Sequence, residues 1–307
     1  MDVAVTGSSG LIGAALVTAL EAAGDRVVRL VRSGPARPGT IRWDPAAGAI
    51  DAAGLEGIDA VVHLAGESIG AARWTAAKKA RILNSRVDGT SLLAATISDL
   101  RSPPRVLVSG SAIGFYGDRG DELLTEGSGP GTGFLAGVVR RWEDAARPAA
   151  EAGVRVVTLR SGIVLSPRGG VLGTMLVPFR LGLGGRLGSG RQWTSWITLD
   201  DEVAAIVHAL RHEPLSGPVN AVAPNPVTNA ELTATLGRVL HRPTVAAVPP
   251  VALRAALGAD AARELLGSQR VAPDALARSG FRFGDPELEA ALRRLLARPA
   301  ASAPPYP

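Results

Sequence analysis

Cysteine is absent from the 307 residues, so no disulfide framework, thiolate nucleophile or cysteine metal site can exist. Lysine is nearly absent too: Lys78 and Lys79 stand alone, and every other basic residue is an arginine scattered along the chain. The net charge of +5 therefore builds no basic run interleaved with aromatics, which points to a solvated surface rather than a nucleic-acid groove. The four histidines (His63, His208, His212 and His241) have no carboxylate pattern around them. His208 and His212 lie one helical turn apart but lack a third ligand, so they read as surface residues and no metal is expected. No run reaches the roughly 18 apolar residues of a membrane span. Asp2, with no basic flank, argues against a signal peptide. A P-loop is excluded because no Gly-Lys-Ser/Thr occurs, and Ser111 lacks the G-x-S-x-G flanks of a nucleophile elbow. The expectation is a soluble, cytoplasmic protein, a monomer or homodimer, with a small-molecule substrate and no membrane partner.

Apolar residues make up 46% of the chain and charged ones 20%, ordinary globular chemistry with enough length for a large core. The most informative stretch is the first. Val3-Ala4-Val5 runs straight into Thr6-Gly7-Ser8-Ser9-Gly10-Leu11-Ile12-Gly13, and an Ala/Leu-rich segment follows. This is strand, glycine turn, helix. Gly7 allows a sharp turn, Gly10 leaves the backbone bare where a pyrophosphate approaches, and Gly13 lets the helix pack closely on the sheet. Free amides at the head of that helix, with the positive end of its dipole, favour an anion there. Ser9, Leu11 and Ile12, between the glycines, complete the expected contact set.

Apolar runs then alternate with helical patterns through residue 165. The runs are Val3–Val5, Arg26–Val31, Ala60–Leu64, Arg105–Val108 and Val154–Leu159, with amphipathic stretches near 11–24, 74–99 and 134–152. Continuous apolar strands separated by helices indicate a doubly wound parallel sheet covered on both faces, a Rossmann α/β domain over 1–165. Beyond Leu165 the texture changes. Glycine dominates 180–190, Trp193–Leu199 and Gly217–Val222 read as strands, and 200–212 and 228–240 as helices, the latter capped by Thr228 or Asn229. Helical segments follow near 251–266 and 285–297. Residues 166–300 are expected to form a smaller C-terminal α/β lobe, discontinuous with the sheet, that closes over the cleft. Residues 301–307 are a tail.

The end of the second strand carries the choice of dinucleotide. An acid there accepts from a ribose 2′-hydroxyl, whereas an arginine pairs with a 2′-phosphate. The position holds Arg32, followed by Ser33 with no acid nearby, which favours NADP(H) over NAD. Ala65 and Gly66, after the third run, leave a bare strand end at the edge where ligands bind in open α/β folds. Glu67 reads equally as a cleft carboxylate or a loop residue.

With TGSSGLIG at the start, DAVVHLAG (59–66) in the middle and the strand ending Val108-Ser109-Gly110-Ser111-Ala112, the chain resembles the extended short-chain dehydrogenase/reductase family. Ala65-Gly66-Glu67, Arg73-Trp74, Ser85-Arg86, the block 109–117, Leu159–Leu165, Pro178–Gly185 and Gly188–Trp193 resemble its NADP-binding epimerase-like subgroup with a small C-terminal domain. The resemblance runs from residue 1 to about 297. It implies that Leu64, Ala65, Arg86, Ser109 and Val164 also meet the cofactor, with Arg32 on its phosphate. The wider family works through a serine and a Tyr-x-x-x-Lys pair on a helix. Ser111 stands in the serine's place, but Phe134 and Val138 fill the place of the pair. A phenyl ring exchanges no proton. Tyr116 is the leading substitute, with Glu67 and Asp118 as weaker ones, and a packing role for Tyr116 stays open. The loop 182–190 with Arg186 and Arg191 suits either an anionic substrate or a hinge, and Trp193 and Trp196 either a stacking surface or core. Two functions remain in play: an NADP(H)-dependent reductase or epimerase acting on a nucleotide sugar or carbonyl compound, and a non-catalytic NADP(H)-binding sensor.

Overall fold

In a computed structural model, which describes residues 1–32, 38–70 and 73–297, eight strands form one twisted sheet. The first half of the chain supplies β1 (Asp2–Thr6), α1 (Leu11–Ala22), β2 (Arg26–Val31), β3 (Thr40–Asp44), β4 (Ala49–Ile50), β5 (Ala60–His63), α2 (Ala76–Asp99), β6 (Val106–Ala112), β7 (Leu123–Leu124), α3 (Phe134–Asp144), α4 (Arg147–Glu151) and β8 (Arg155–Ser161). The order across the sheet is β13-β8-β6-β5-β1-β2-β3-β4, where β13 spans Gly217–Ala221. Every pair is parallel except β3 with β4. Val3 lies beside Val27 of β2 and Ala60 of β5, so the chain winds outward from β1 in both directions. That reversal opens a crevice at the carboxyl ends of β1 and β5, directly above the glycine turn.

Alternate residues of the buried strands serve two cores. Val3, Val5, Val62, Val108, Val157 and Val219 face α1 and the helix α6 (Leu199–Arg211), packing on Leu16, Leu20, Val203 and Ile206. Ala4, Val61 and Leu107 face the other way, against Leu93 and Ile97 of α2 and Ala149 of α4. The expected amphipathic stretch 134–152 is two helices, with Pro148 admitted only in the first turn of the second.

After β8 the chain adds β9 (Ile163–Leu165), α5 (Gly170–Arg180), β10 (Gly185–Leu187), β11 (Trp193–Thr194) and β12 (Trp196–Thr198) before α6. Beyond β13 come β14 (Val227–Thr228), α7 (Asn229–Leu240), β15 (Ala246–Val248), α8 (Pro250–Leu257), α9 (Ala259–Leu266), β16 (Arg270–Val271), α10 (Asp274–Arg278) and α11 (Leu288–Leu296). Thr228 caps α7 through the amide of Glu231. The smaller lobe has its own core of Leu172, Leu176, Phe179, Trp196, Leu232, Leu236, Leu288 and Leu292. Trp196 is therefore a core residue. The segment 251–266 breaks at Gly258, where φ is +91°.

The expectation that everything after 165 stands apart from the sheet is corrected at 199–221. Strand β13 pairs with β8 through five residues, and α6 shares the core under α1. The guanidinium of Arg155 on β8 locks this return in place by donating to the carbonyls of Ala209, Leu210 and Leu215. Ser33 and the tail 301–307 lie outside the described residues. A fragment ending at Leu165 is thus expected to lack a cooperative thermal transition, because it bares β8 and the apolar face of α1. Cooperative melting of 1–165, followed by near-UV circular dichroism, would place the boundary back at 165.

Candidate functional site

At the end of β1, Gly7 adopts φ +65°, and a Cβ there would stand 2.8 Å from the Leu64 carbonyl carbon. A Cβ on Gly13 would overlap the Gly7 carbonyl oxygen, and one on Gly10 would lie 3.3 Å from it. The turn is closed by the Gly10 amide donating to the Gly7 carbonyl at 2.9 Å. Helix α1 then opens with no capping side chain and no acid in its first turn. Its leading amides, from Leu11 to Gly13, are the bare donors that an anion satisfies. Ser9 and Gly10 are exposed beside them.

The second wall is the end of β5. Thr6 Oγ1 accepts from the amides of Leu64 and Ala65 at 3.0 and 3.1 Å, holding β5 against the glycine turn. Leu11, Ile12, Leu64 and Val164 all pack, half-buried, on the same core. The structure thus brings these four expected contacts to one place. Arg32 is exposed at the end of β2, on the same edge of the sheet. Arg86 lies under Gly66, donating to the carbonyls of Glu67 and Ile82 at 3.0 and 3.1 Å, with its guanidinium 5.1 Å from the Trp142 ring. Ser109 is fully buried, and its hydroxyl turns back to the Gly110 carbonyl at 3.3 Å.

The acid–base candidates fare differently. Ser111 donates to Glu143 Oε1 at 2.6 Å, and Glu143 is gripped by two 2.8 Å bonds from Arg160. The same guanidinium donates to the Tyr116 hydroxyl at 3.0 Å, which in turn donates to Asn220 at 2.7 Å. Tyr116 is 0% exposed, and burial pushes its hydroxyl above the ordinary tyrosine range. The expectation that Tyr116 meets a substrate is corrected by this placement, since its hydroxyl is spent inside the core. Glu67 pairs with Lys78 at 2.7 Å, which holds its carboxyl below the usual range, and Asp118 accepts from the amides of Gly120 and Ser268. Phe134 heads α3 with its ring edge-on to Trp74 at 5.4 Å.

Other sequence candidates settle into structure. The 182–190 loop is built rather than loose: Gly185–Leu187 pairs with Ala246–Val248, and Asn229 accepts from the Leu187 amide. Trp193 donates to Asp121 and lies under the Arg270 guanidinium. His208 and His212 are half-buried and stacked at 4.8 Å rather than at the surface, with His208 hydrogen-bonded to Ser279. Among the described residues no cluster of three or more His, Asp or Glu could hold a metal, and no helix is long and apolar enough to cross a membrane.

Glu264 escaped the sequence reading. It projects from α9 onto the head of α3, which has no cap of its own, and accepts from the Leu135 amide at 3.0 Å. Gly133 makes room, since a Cβ there would stand 3.1 Å from Oε1. Burial pushes the Glu264 carboxyl up despite that bond. Asp260, one turn earlier on α9, pairs with Lys79 of α2 at 2.7 Å. The i, i+4 spacing of Asp260 and Glu264 marks a common helix face, but nothing in the local sequence names the elements it meets.

Two family models match the chain: one described as the NAD dependent epimerase/dehydratase family over residues 3–221, and one described as a domain of unknown function (DUF1731) over 248–295. The first ends where β13 ends. The epimerase family protein Mb2239 of Mycobacterium bovis is 47% identical over 297 residues, covering 97% of this chain and 98% of its own. The crystal structure of human epimerase family protein SDR39U1 (isoform 2) with NADPH is similar at a TM-score of 0.89 and 38% identity, covering 96% of this chain and 99% of that one. A nucleoside-diphosphate sugar epimerase from Corynebacterium glutamicum gives 0.79 and 40%, covering 96% of this chain and 58% of that one.

One buried acid near the end of β8 dictates a pH response. Glu202 on α6 is fully buried, bonded to the Ser161 hydroxyl through Oε1, with Oε2 unpartnered. Burial pushes its carboxyl up to about 7. The folded chain then holds a proton that the unfolded chain releases near its ordinary value, so stability falls as pH rises through that window. Glu202→Gln removes the penalty. At pH 8 it is expected to exceed the parent by up to about 3 kcal/mol, with the gap closing toward pH 5 in thermal melts. Equal melting at pH 8 would contradict this.

Proposed function

We propose a function from one premise, that the chain belongs to the NAD dependent epimerase/dehydratase family: it binds NADP(H) in the crevice above β1 and β5. The carrying observation is the uncapped head of α1 framed by three glycines, two of which leave no space for a Cβ. The bare amides of Leu11, Ile12 and Gly13, with Ser9 and Gly10 exposed beside them, would donate to the pyrophosphate. Arg32 would meet the 2′-phosphate, for which its planar fork is suited. Leu64, Ala65, Gly66 and Val164 would form the floor, with Arg86 holding Gly66 from beneath and Ser109 shaping the neighbouring strand. The NADPH in the crystal structure of human SDR39U1 supports the phosphorylated coenzyme.

A nicotinamide bound there supplies or takes a hydride. The substrate fitting such chemistry is a small oxygen-bearing molecule of the carbonyl or nucleotide-sugar class. Ser111 would orient it from the end of β6, with its own proton committed to Glu143. For proton exchange, Glu264 is the better candidate: its carboxyl sits on the amides at the head of α3, and burial raises its proton affinity despite those bonds. A second reading, binding without turnover, draws support from the missing Tyr-x-x-x-Lys pair and from the burial of Tyr116.

Coenzyme titrations separate the claims. Arg32→Ala is expected to weaken NADPH by about tenfold to a hundredfold, the cost of one charge-assisted contact, and to leave NADH nearly unchanged. Equal losses for both would remove the 2′-phosphate from Arg32. In a nicotinamide absorbance assay against sugar nucleotides and carbonyl compounds, turnover should survive Tyr116→Phe and fall with Glu264→Gln. Tight NADPH binding with no turnover across the panel would favour the second reading.

A further inference from the structure

We infer that His63 is a positioning residue for the dinucleotide, bolting the end of β5 to the glycine turn through Thr6 as a neutral imidazole with its proton on Nε2. The inference rests on the NADP(H) reading but concerns a side chain that cannot touch the coenzyme, since His63 is 0% exposed.

The argument is one of hydrogen-bond valence. Thr6 Oγ1 already accepts from the Leu64 and Ala65 amides, so its single proton is left to donate. Its neighbour at 2.8 Å is His63 Nδ1. That nitrogen must therefore be the bare acceptor, and the ring proton sits on Nε2. Nε2 is buried with no hydrogen-bond partner. The ring meets the Trp43 ring of β3 edge-on at 5.8 Å and Gly89 of α2, and Ser109 stands opposite His63 in the β5–β6 register. None of these neighbours titrates, and burial alone pushes the imidazole down to about 4.

Protonating the ring would turn Nδ1 into a donor aimed at an oxygen that already accepts twice, and would strand the threonine proton. The junction has no slack, because the space a Gly7 side chain would need is filled by Leu64 and Ala65. A shift of that strand end therefore reaches the pyrophosphate turn directly. In an otherwise apolar strand, Val61-Val62-His63-Leu64, the ring is the acceptor that fixes the threonine's orientation.

The test uses the full chain. Nitrogen NMR of the His63 ring is expected to show a proton on Nε2 and none on Nδ1 from pH 8 down to about 5. His63→Leu and Thr6→Val, which delete the acceptor or the hydroxyl, should each raise the NADPH Kd about tenfold. His63→Asn and Thr6→Ser, which keep them, should stay within about threefold of the parent. A proton on Nδ1, or parental affinity in His63→Leu, would overturn the inference. Should His63→Leu fail to fold, the ring spectrum and Thr6→Val decide alone. Absence of NADPH binding by the parent chain would instead overturn the dinucleotide reading, and the ring spectrum would still judge the hydrogen bond.

Discussion

A helix that begins without a cap leaves amides that must find an acceptor elsewhere. Helix α1 begins this way after β1, where the strand order of the sheet reverses. The rest of the site follows from keeping that helix end bare and rigid. Glycine at 7 and 13 lets the turn fold onto itself and onto β5, and Thr6 bonds the two strand ends together. Apolar strands buried on both faces keep the platform stiff.

Around this platform Ser111 and Tyr116 are both held in one internal hydrogen-bond network. The serine station is joined to a pair of half-buried Glu143 and buried Arg160, and the nearest tyrosine closes that network from within the core. Such a pair costs desolvation and is held only where its geometry is complete, as the paired bonds of Glu143 and Arg160 make it. The ionisable group left near the head of α3 comes from the smaller lobe. Lys79 with Asp260 and Leu135 with Glu264 tie α9 to α2 and α3.

Much of this was legible in the residues. Strands β1, β2, β5, β6 and β8 coincide with the apolar runs, because the central strands bury adjacent residues on both faces and so read as near-continuous apolar stretches. The glycine turn was legible for a similar reason: backbone geometry there tolerates one residue type. Strand β3 was not, since only Ile41 and Trp43 of its five residues are buried and it stands beside the sheet's short outer strand. The return of 199–221 to the sheet was hidden because periodicity names an element and not its partner. Tyr116 and Glu264 show the same limit at the site. Motif position suggested an exposed tyrosine, whereas burial and the cap on α3 are set by residues more than a hundred positions away.

Calorimetric titration of the purified chain with NADPH, beside a Gly13→Ala variant shown to be folded by its near-UV circular dichroism, tests the bare helix end most directly. The expected result is saturable heat from the parent and none from the variant at the same concentrations, because a methyl group at 13 cannot coexist with the Gly7 carbonyl in the turn. Silence from the parent, or equal affinity in the variant, would contradict the account.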